Sequence, residues 1–266
     1  MILFFSILGL SIGSFLNVLI DRLPRGESML GRSYCENCKK TLSWKDLIPV
    51  LSFVYLRGQC RYCHAPLSYQ YPIVELLTGA LFGFTYFYVF QTTIFNFQFS
   101  IFNEIINHNS LIINLLYYLF IVSSMIVIFF SDLKHGIIPD KIVVPTVFVS
   151  FVYLFINHNS LILNHLLSAL GAFLFFLFIY LITKGRGMGF GDVKLAFLTG
   201  LVLGFPGTVL ALYIAFLTGG FIGIILILWK KKKLKYAIPF GPFLVLGSLI
   251  SLFFQDRIIQ KLLGLF

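Results

Sequence analysis

Apolar residues run along this chain in long blocks separated by short polar stretches. A helix that crosses a bilayer takes about 20 mostly apolar residues. Eight blocks come near that length, roughly 2–20, 73–92, 111–130, 141–157, 160–183, 193–204, 207–229 and 239–255. The sixth is the shortest. Between the first and second lies 21–72, the one polar stretch long enough for a separate extramembrane domain. The pattern predicts an all-α polytopic membrane protein with about eight transmembrane helices. Its expected organisation is a first transmembrane helix at 1–20, a small domain at 21–72 and a helical membrane domain at 73–266. The first block has no basic start and no convincing small-residue cleavage site, so it reads as a retained anchor.

Composition agrees with the pattern. Hydrophobic residues make up 59% and charged residues 11%, against about a quarter charged in soluble domains. The formal net charge is +10, which raises the question of nucleic acid. The distribution answers it. With the N-terminus outside, the cytoplasmic segments and their edges hold 18 of the 20 Lys and Arg residues. That is the positive-inside pattern, and it needs no nucleic-acid partner. The run Lys230 to Lys233 reads as a topology anchor, with anionic membrane lipids as an alternative role. The expected location is a membrane, with these basic segments on its cytoplasmic side.

One heptapeptide recurs, Ile106 to Ile112 and again Ile156 to Ile162. Its Asn and Ser suit helix starts. His108 and His158 lack a nearby carboxylate or cysteine with which to hold a metal.

All four cysteines lie in 21–72. Cys35 and Cys38 form one CxxC pair, and Cys60 and Cys63 a second, close to the zinc-ribbon pattern. The charge rule puts them in the cytoplasm, where thiols stay reduced, so zinc is favoured over disulfides. A domain of about 50 residues needs such a staple. Four protein ligands leave no open coordination position, so the metal would be structural.

Acidic residues total only 10 in 266. Asp132 ends the third block in Ser131-Asp132-Leu133-Lys134. Asp192 opens the sixth, behind Gly187, Gly189 and Gly191. Ionisable groups beside membrane spans are functional candidates by default. Singly, each has a plain explanation, as an interfacial charge or a helix cap. Both fall on the predicted cytoplasmic side, so they can meet. Two carboxylates at short range share one proton: the ionised one activates water and the protonated one donates to a carbonyl. Glycines in front of Asp192 would let a substrate strand approach closely. A phosphate loop is the rival, but neither the GxGxxG spacing nor a GK[ST] is present. Asp140, after Ile138-Pro139, reads as a helix cap.

In this order the motifs resemble those of the bacterial type IV prepilin peptidases, the GxGD aspartic proteases. The resemblance rests on Gly13 to Val18, Arg22-Leu23-Pro24, the two CxxC pairs, Ile48 to Ser52 and Arg57 to Cys60. It continues through Tyr71 to Glu75, Asp132 with Ile138-Pro139, Gly189 to Asp192, and Pro239 to Phe243. It implies that Asp132 and Asp192 are catalytic and that Gly189 and Gly191 shape the active-site loop. It implies removal of the short leader of prepilins or pseudopilins at the cytoplasmic face. It further implies methylation of the new N-terminus from S-adenosylmethionine, with Gly58 and Glu75 as candidate cofactor-binding residues. The chain departs from the family's pattern at Asp140, usually Asn, at Gln59, commonly Lys, and in an apparent insertion from Gln91 to Ser110. The alternatives are a peptidase without the methyltransferase, and a noncatalytic zinc-bearing scaffold or transporter.

Overall fold

The computed structural model describes residues 1–29, 31–97, 104–157, 161–185, 187–228 and 239–263, and the side chains of all of these but 92–97, 104–110, Ile227 and 262–263. Nine helices are present among them: α1 (Ile2–Arg22), α2 (Leu51–Tyr55), α3 (Gln70–Phe97), α4 (Glu104–His135), α5 (Asp140–Asn157), α6 (Ile162–Ile182), α7 (Phe190–Leu203), α8 (Gly207–Leu228) and α9 (Gly241–Leu263). No strand occurs among the described residues, only two isolated β-bridges. Seven of the helices are long and apolar enough to cross a membrane. The all-helical multi-pass architecture is therefore as expected. The eighth expected span is α7, whose 14 residues rise only about 21 Å.

The helices differ from the expected blocks mainly at their ends. α4 continues through Ser131, Asp132, Leu133, Lys134 and His135. Charge ends the apolar run there, but Lys and His favour a helix C-terminus. The first copy of the heptapeptide lies inside α4 rather than at a helix start, because α4 already begins at Glu104. The polar stretch expected from Gln91 is in part helical, since α3 runs to Phe97. Part of the second heptapeptide copy, His158 included, and the Lys230 to Lys233 run lie outside the described residues.

The chain forms two compact units, Met1–Val127 and Ile128–Phe266. In the first, α1 packs along α3 through glycines on both helices. A Cβ added at Gly9 would fall 2.7 Å from Thr78 O, and one at Gly13 would fall 2.8 Å from Glu75 Cα. Gly79 and Gly83 answer from α3, against Leu10 and Ser6. Small residues four apart let two membrane helices approach to backbone contact.

In the second unit α7 is the enclosed helix. Val193, Leu195, Ala196 and Leu198 are fully buried. A helix apolar on every face belongs in the interior of a bundle. Its neighbour α6 runs beside it in a fixed axial register. His165 Nδ1 meets Leu201 O at 2.9 Å and the Asn164 amide bonds the Phe205 backbone. Gly200 then lies on the Ala169 backbone, Phe173 meets Phe197, and Tyr180 meets Phe190. Thr199 and Ser248 hydroxyls, 3.0 Å apart, join α7 to α9.

Candidate active site and metal centre

α4 brings Asp132 to its last turn, and α7 brings Asp192 to its first. Both carboxylates are buried, 5% and 7% exposed, and they are near enough to interact electrostatically. Their surroundings differ. Asp192 Oδ2 accepts the Gly189 N–H at 3.1 Å, so the loop is tied back onto the first turn of its own helix. Asp132 lies against the backbone N–H of Gly241 at the start of α9, although its Oδ2 makes no bond of ordinary hydrogen-bond geometry among the described residues. Asp192 is thus held by its own loop, and Asp132 by the first residue of α9.

Two residues that the motifs contained without a role form the wall of this site. A Cβ at Gly241, the first residue of α9, would fall 2.5 Å from Asp132 Oδ2 and 3.3 Å from Ile138 Cδ1. A Cβ at Gly191 would fall 3.1 Å from Ile138 Cβ. Ile138 therefore fills the space between the two glycine backbones. Of the loop glycines, Gly189 is in extended conformation, and positive φ occurs instead at Lys184 and Gly185. Gly191 is needed for contact with Ile138 rather than for backbone freedom.

Asp140 is not the cap expected of it. It is the first residue of α5, and its carboxylate receives Lys194 Nζ at 2.7 and 2.9 Å. It is 60% exposed at the side chain, outside the buried pair. Lys194 also lies 5.2 Å over the Phe190 ring.

The cysteines form a second centre, in the first unit. Their four sulfurs lie within 4.8 Å of one another, and Cys35 and Cys63 sulfurs are 3.8 Å apart. Tetrahedral Zn–S bonds of about 2.3 Å require sulfurs about 3.8 Å apart, so this donor set fits a metal ion. The two CxxC turns are built alike. Cys35 N bonds Lys40 O and Lys39 N bonds Cys35 O, while Cys60 N bonds Ala65 O and His64 N bonds Cys60 O. Tyr34 bridges Thr41 and Gln59 bridges Pro66. Lys39 and His64, each just after the second cysteine, carry φ of 57° and 56°. His64 is exposed and belongs to the turn, not to the sulfur cluster. Beside it, Arg61 Nε meets Asp46 Oδ1 at 2.6 Å. Burial would raise the Asp46 carboxyl, but bonds from the Ser43 hydroxyl and amide and the Arg61 charge hold it below its ordinary value. This contribution is complete above the ordinary carboxylate range and fades as pH falls through the lowered value.

Gly58 and Glu75 occupy opposite ends of α2. Gly58, at φ 70°, closes it by donating its N–H to Phe53 O at 2.9 Å. Glu75, buried near the start of α3, accepts the N–H of Val50, the residue capping α2, at 2.7 Å. The geometry gives both a task in holding α2.

The chain is similar to known proteins over most of its length. Residues 7–89 match the family described as Bacterial Peptidase A24 N-terminal domain, and residues 119–224 match the Type IV leader peptidase family. A protein of Legionella pneumophila named prepilin leader peptidase/N-methyltransferase is 31% identical, over 99% of this chain and 95% of its own length. Proteins of the same name from Aeromonas hydrophila and Bacillus subtilis (strain 168) are each 30% identical. They cover 96% of this chain, and 92% and 94% of their own lengths. No solved structure matches the chain.

Proposed function

The chain belongs to the type IV leader peptidase family, and on that premise we propose that it removes the short leader of prepilins or pseudopilins and methylates the N-terminus so exposed. The observation that carries the reading is the buried pair Asp132 and Asp192, near enough to interact. In this reading the two act as an aspartic dyad. One carboxylate takes a proton from water as it attacks the scissile carbonyl; the other donates to the carbonyl oxygen, and the pair returns a proton to the leaving amine. Gly189, which caps α7, bonds the Asp192 carboxyl, and Gly191, in the first turn of α7, packs on Ile138. The positive-inside distribution supports a cytoplasmic position for this end of the protein, in a bacterial inner membrane.

Methylation fits the chemistry of the product. An α-amine with pKa near ~8 has an appreciable neutral fraction at cytoplasmic pH. S-adenosylmethionine would supply the methyl group. Gly58 and Glu75 are proposed to contribute to its site through α2, whose two ends they hold. Zinc on Cys35, Cys38, Cys60 and Cys63 is proposed as structural, since all four positions would be filled by protein.

Co-expression with a prepilin and intact-mass measurement of the product tests the whole reading. Loss of the leader together with a gain of one methyl group is the expected result. An uncleaved prepilin in the presence of folded protein contradicts it, and a cleaved but unmethylated product leaves the peptidase alone.

Two further outcomes are expected. Cys38→Ser should take bound zinc from about one ion per chain to near none, by elemental analysis, and expose 21–72 to protease. Structural zinc supplies on the order of 10–16 kcal/mol in small modules; retention of stoichiometric zinc would contradict the four-sulfur site. Asp140→Asn restores the family's usual residue. Because the Asp140–Lys194 pair is largely exposed, its contribution is about 0–1 kcal/mol. Cleavage within about twofold of the parent protein is expected; a much larger loss would put Asp140 in the reaction.

A further inference from the structure

The segment that carries the cysteines has an apolar surface that its metal turns do not use. On α2, Leu51, Val54 and Tyr55 are 68%, 66% and 81% exposed. They stand at i, i+3 and i+4, on one face of the helix. Just before it, a short 3-10 turn (Trp44–Leu47) exposes Trp44 at 71% and Leu47 at 40%, and Ile48 follows at 37%. The other face of α2 is spoken for. Phe53 packs against Gly58, and its ring lies 5.6 Å from that of Tyr69 in a tilted arrangement.

The height of this surface relative to the membrane is fixed by α3. Tyr69 immediately precedes Gln70, where the span Gln70–Gln91 begins. Val50, at the start of α2, is hydrogen-bonded to Glu75, which lies five residues, or about 8 Å, along α3 at 1.5 Å per residue. The start of α2 is therefore held beside the first turns of a helix long and apolar enough to cross a membrane. Interfacial helices bury an apolar face about 5–10 Å into the headgroup and acyl boundary. Cations lie on either side of the exposed face in the chain. Lys45 lies 5.6 Å over the Trp44 ring, and Arg57 stands two residues beyond the end of α2. The stretch 21–72 holds eight Lys and Arg residues against four Asp and Glu.

We propose that the 3-10 turn and α2 form a foot that inserts into the headgroup region of the bilayer, with anionic phospholipid as its partner. Tryptophan and tyrosine suit that layer because each has an apolar body and a polar tip. Lys45 and Arg57 reach up to the phosphates. The cysteine turns are then not a free domain on a tether. They stand on the membrane surface, held by the foot and by the bond from Val50 to Glu75.

The chain has two tryptophans, so Trp229→Phe leaves Trp44 as the only reporter. The full-length variant is placed in vesicles of phosphatidylethanolamine and phosphatidylglycerol carrying lipids brominated near the headgroup or deep in the chain. Loss of Trp44 emission to the shallow bromines, greater than to the deep ones, and protection from aqueous iodide are expected. Val54→Glu in the same background should reverse this, so that iodide quenches and bromolipid does not, while bound zinc is unchanged. Iodide quenching without bromolipid quenching in the parent would place Trp44 in water and end the proposal. Quenching by neither would mean that protein covers the face, which also rejects a lipid partner. A Val54→Glu variant quenched like its parent overturns the role of α2.

Discussion

Asp132→Asn and Asp192→Asn are each expected to stop leader removal, with a loss of about 10³-fold or more, the range of general acid–base catalysis by a positioned group. Asparagine has nearly the same shape as aspartate, so the packing of α4 and α7 is retained. It can neither take nor give the proton that the pair must exchange. Both side chains are buried, and removing a buried charge does not by itself weaken folding. The variants should therefore insert, bind zinc and run as single species in detergent. They should still methylate a pilin supplied with its leader already removed. That last readout separates loss of chemistry from loss of protein. Normal cleavage by either variant removes that aspartate from the mechanism.

Gly241→Ala is expected to reduce cleavage by about 100-fold while leaving both carboxylates in the chain. The new Cβ would stand 2.5 Å from Asp132 Oδ2, well inside the separation of about 3.5 Å at which non-bonded atoms rest. Asp132 must move by about 1 Å, and a misplacement of that size costs roughly 10²-fold in rate. Gly241 is not at positive φ, so alanine itself is acceptable to the backbone and the effect is directed at the carboxyl. The loss should fall on kcat more than on KM, since substrate contacts elsewhere are unchanged. Gly220→Ala, on α8 with nothing within 4 Å of its added Cβ, serves as the control and should cleave normally. Equal kcat for Gly241→Ala and the parent protein would show that Asp132 is not confined by α9.

These two variants mark where sequence reading works and where it stops. The aspartates stand out as candidates because acids are scarce in this chain and costly beside a span, and the fold buries both. The cysteines are legible because spacing encodes the geometry of a metal. The long helices are legible because an apolar run of sufficient length has few alternatives to crossing a membrane. Gly241 is a different case. Its meaning lies in a contact with Asp132 from 109 residues away in the chain, and no local pattern records that. The same holds for Ile138, whose role depends on two glycines from other helices. Asp140 was open to misreading because an acid at a helix start looks like a cap, while its partner Lys194 is 54 residues on. The extent of α4 escaped for a simpler reason. Apolarity measures where lipid ends, whereas helices continue until their hydrogen bonds find other partners.

The rungs between α6 and α7 have a consequence for which bond is cut. From His165 and Leu201 at one end to Tyr180 and Phe190 at the other, they prevent α7 from sliding along its axis. Asp192 is thereby held at one depth, about a turn inside the end of α6. With Asp192 in the proposed dyad, an enzyme built this way would be a depth gauge. It would select a peptide bond by distance from the membrane surface as much as by the residues on either side. A pilin precursor whose polar leader is moved one residue further from its apolar helix presents a different bond at that depth. It is expected to be cut at a shifted position or not at all, and the mass of the product would report the offset.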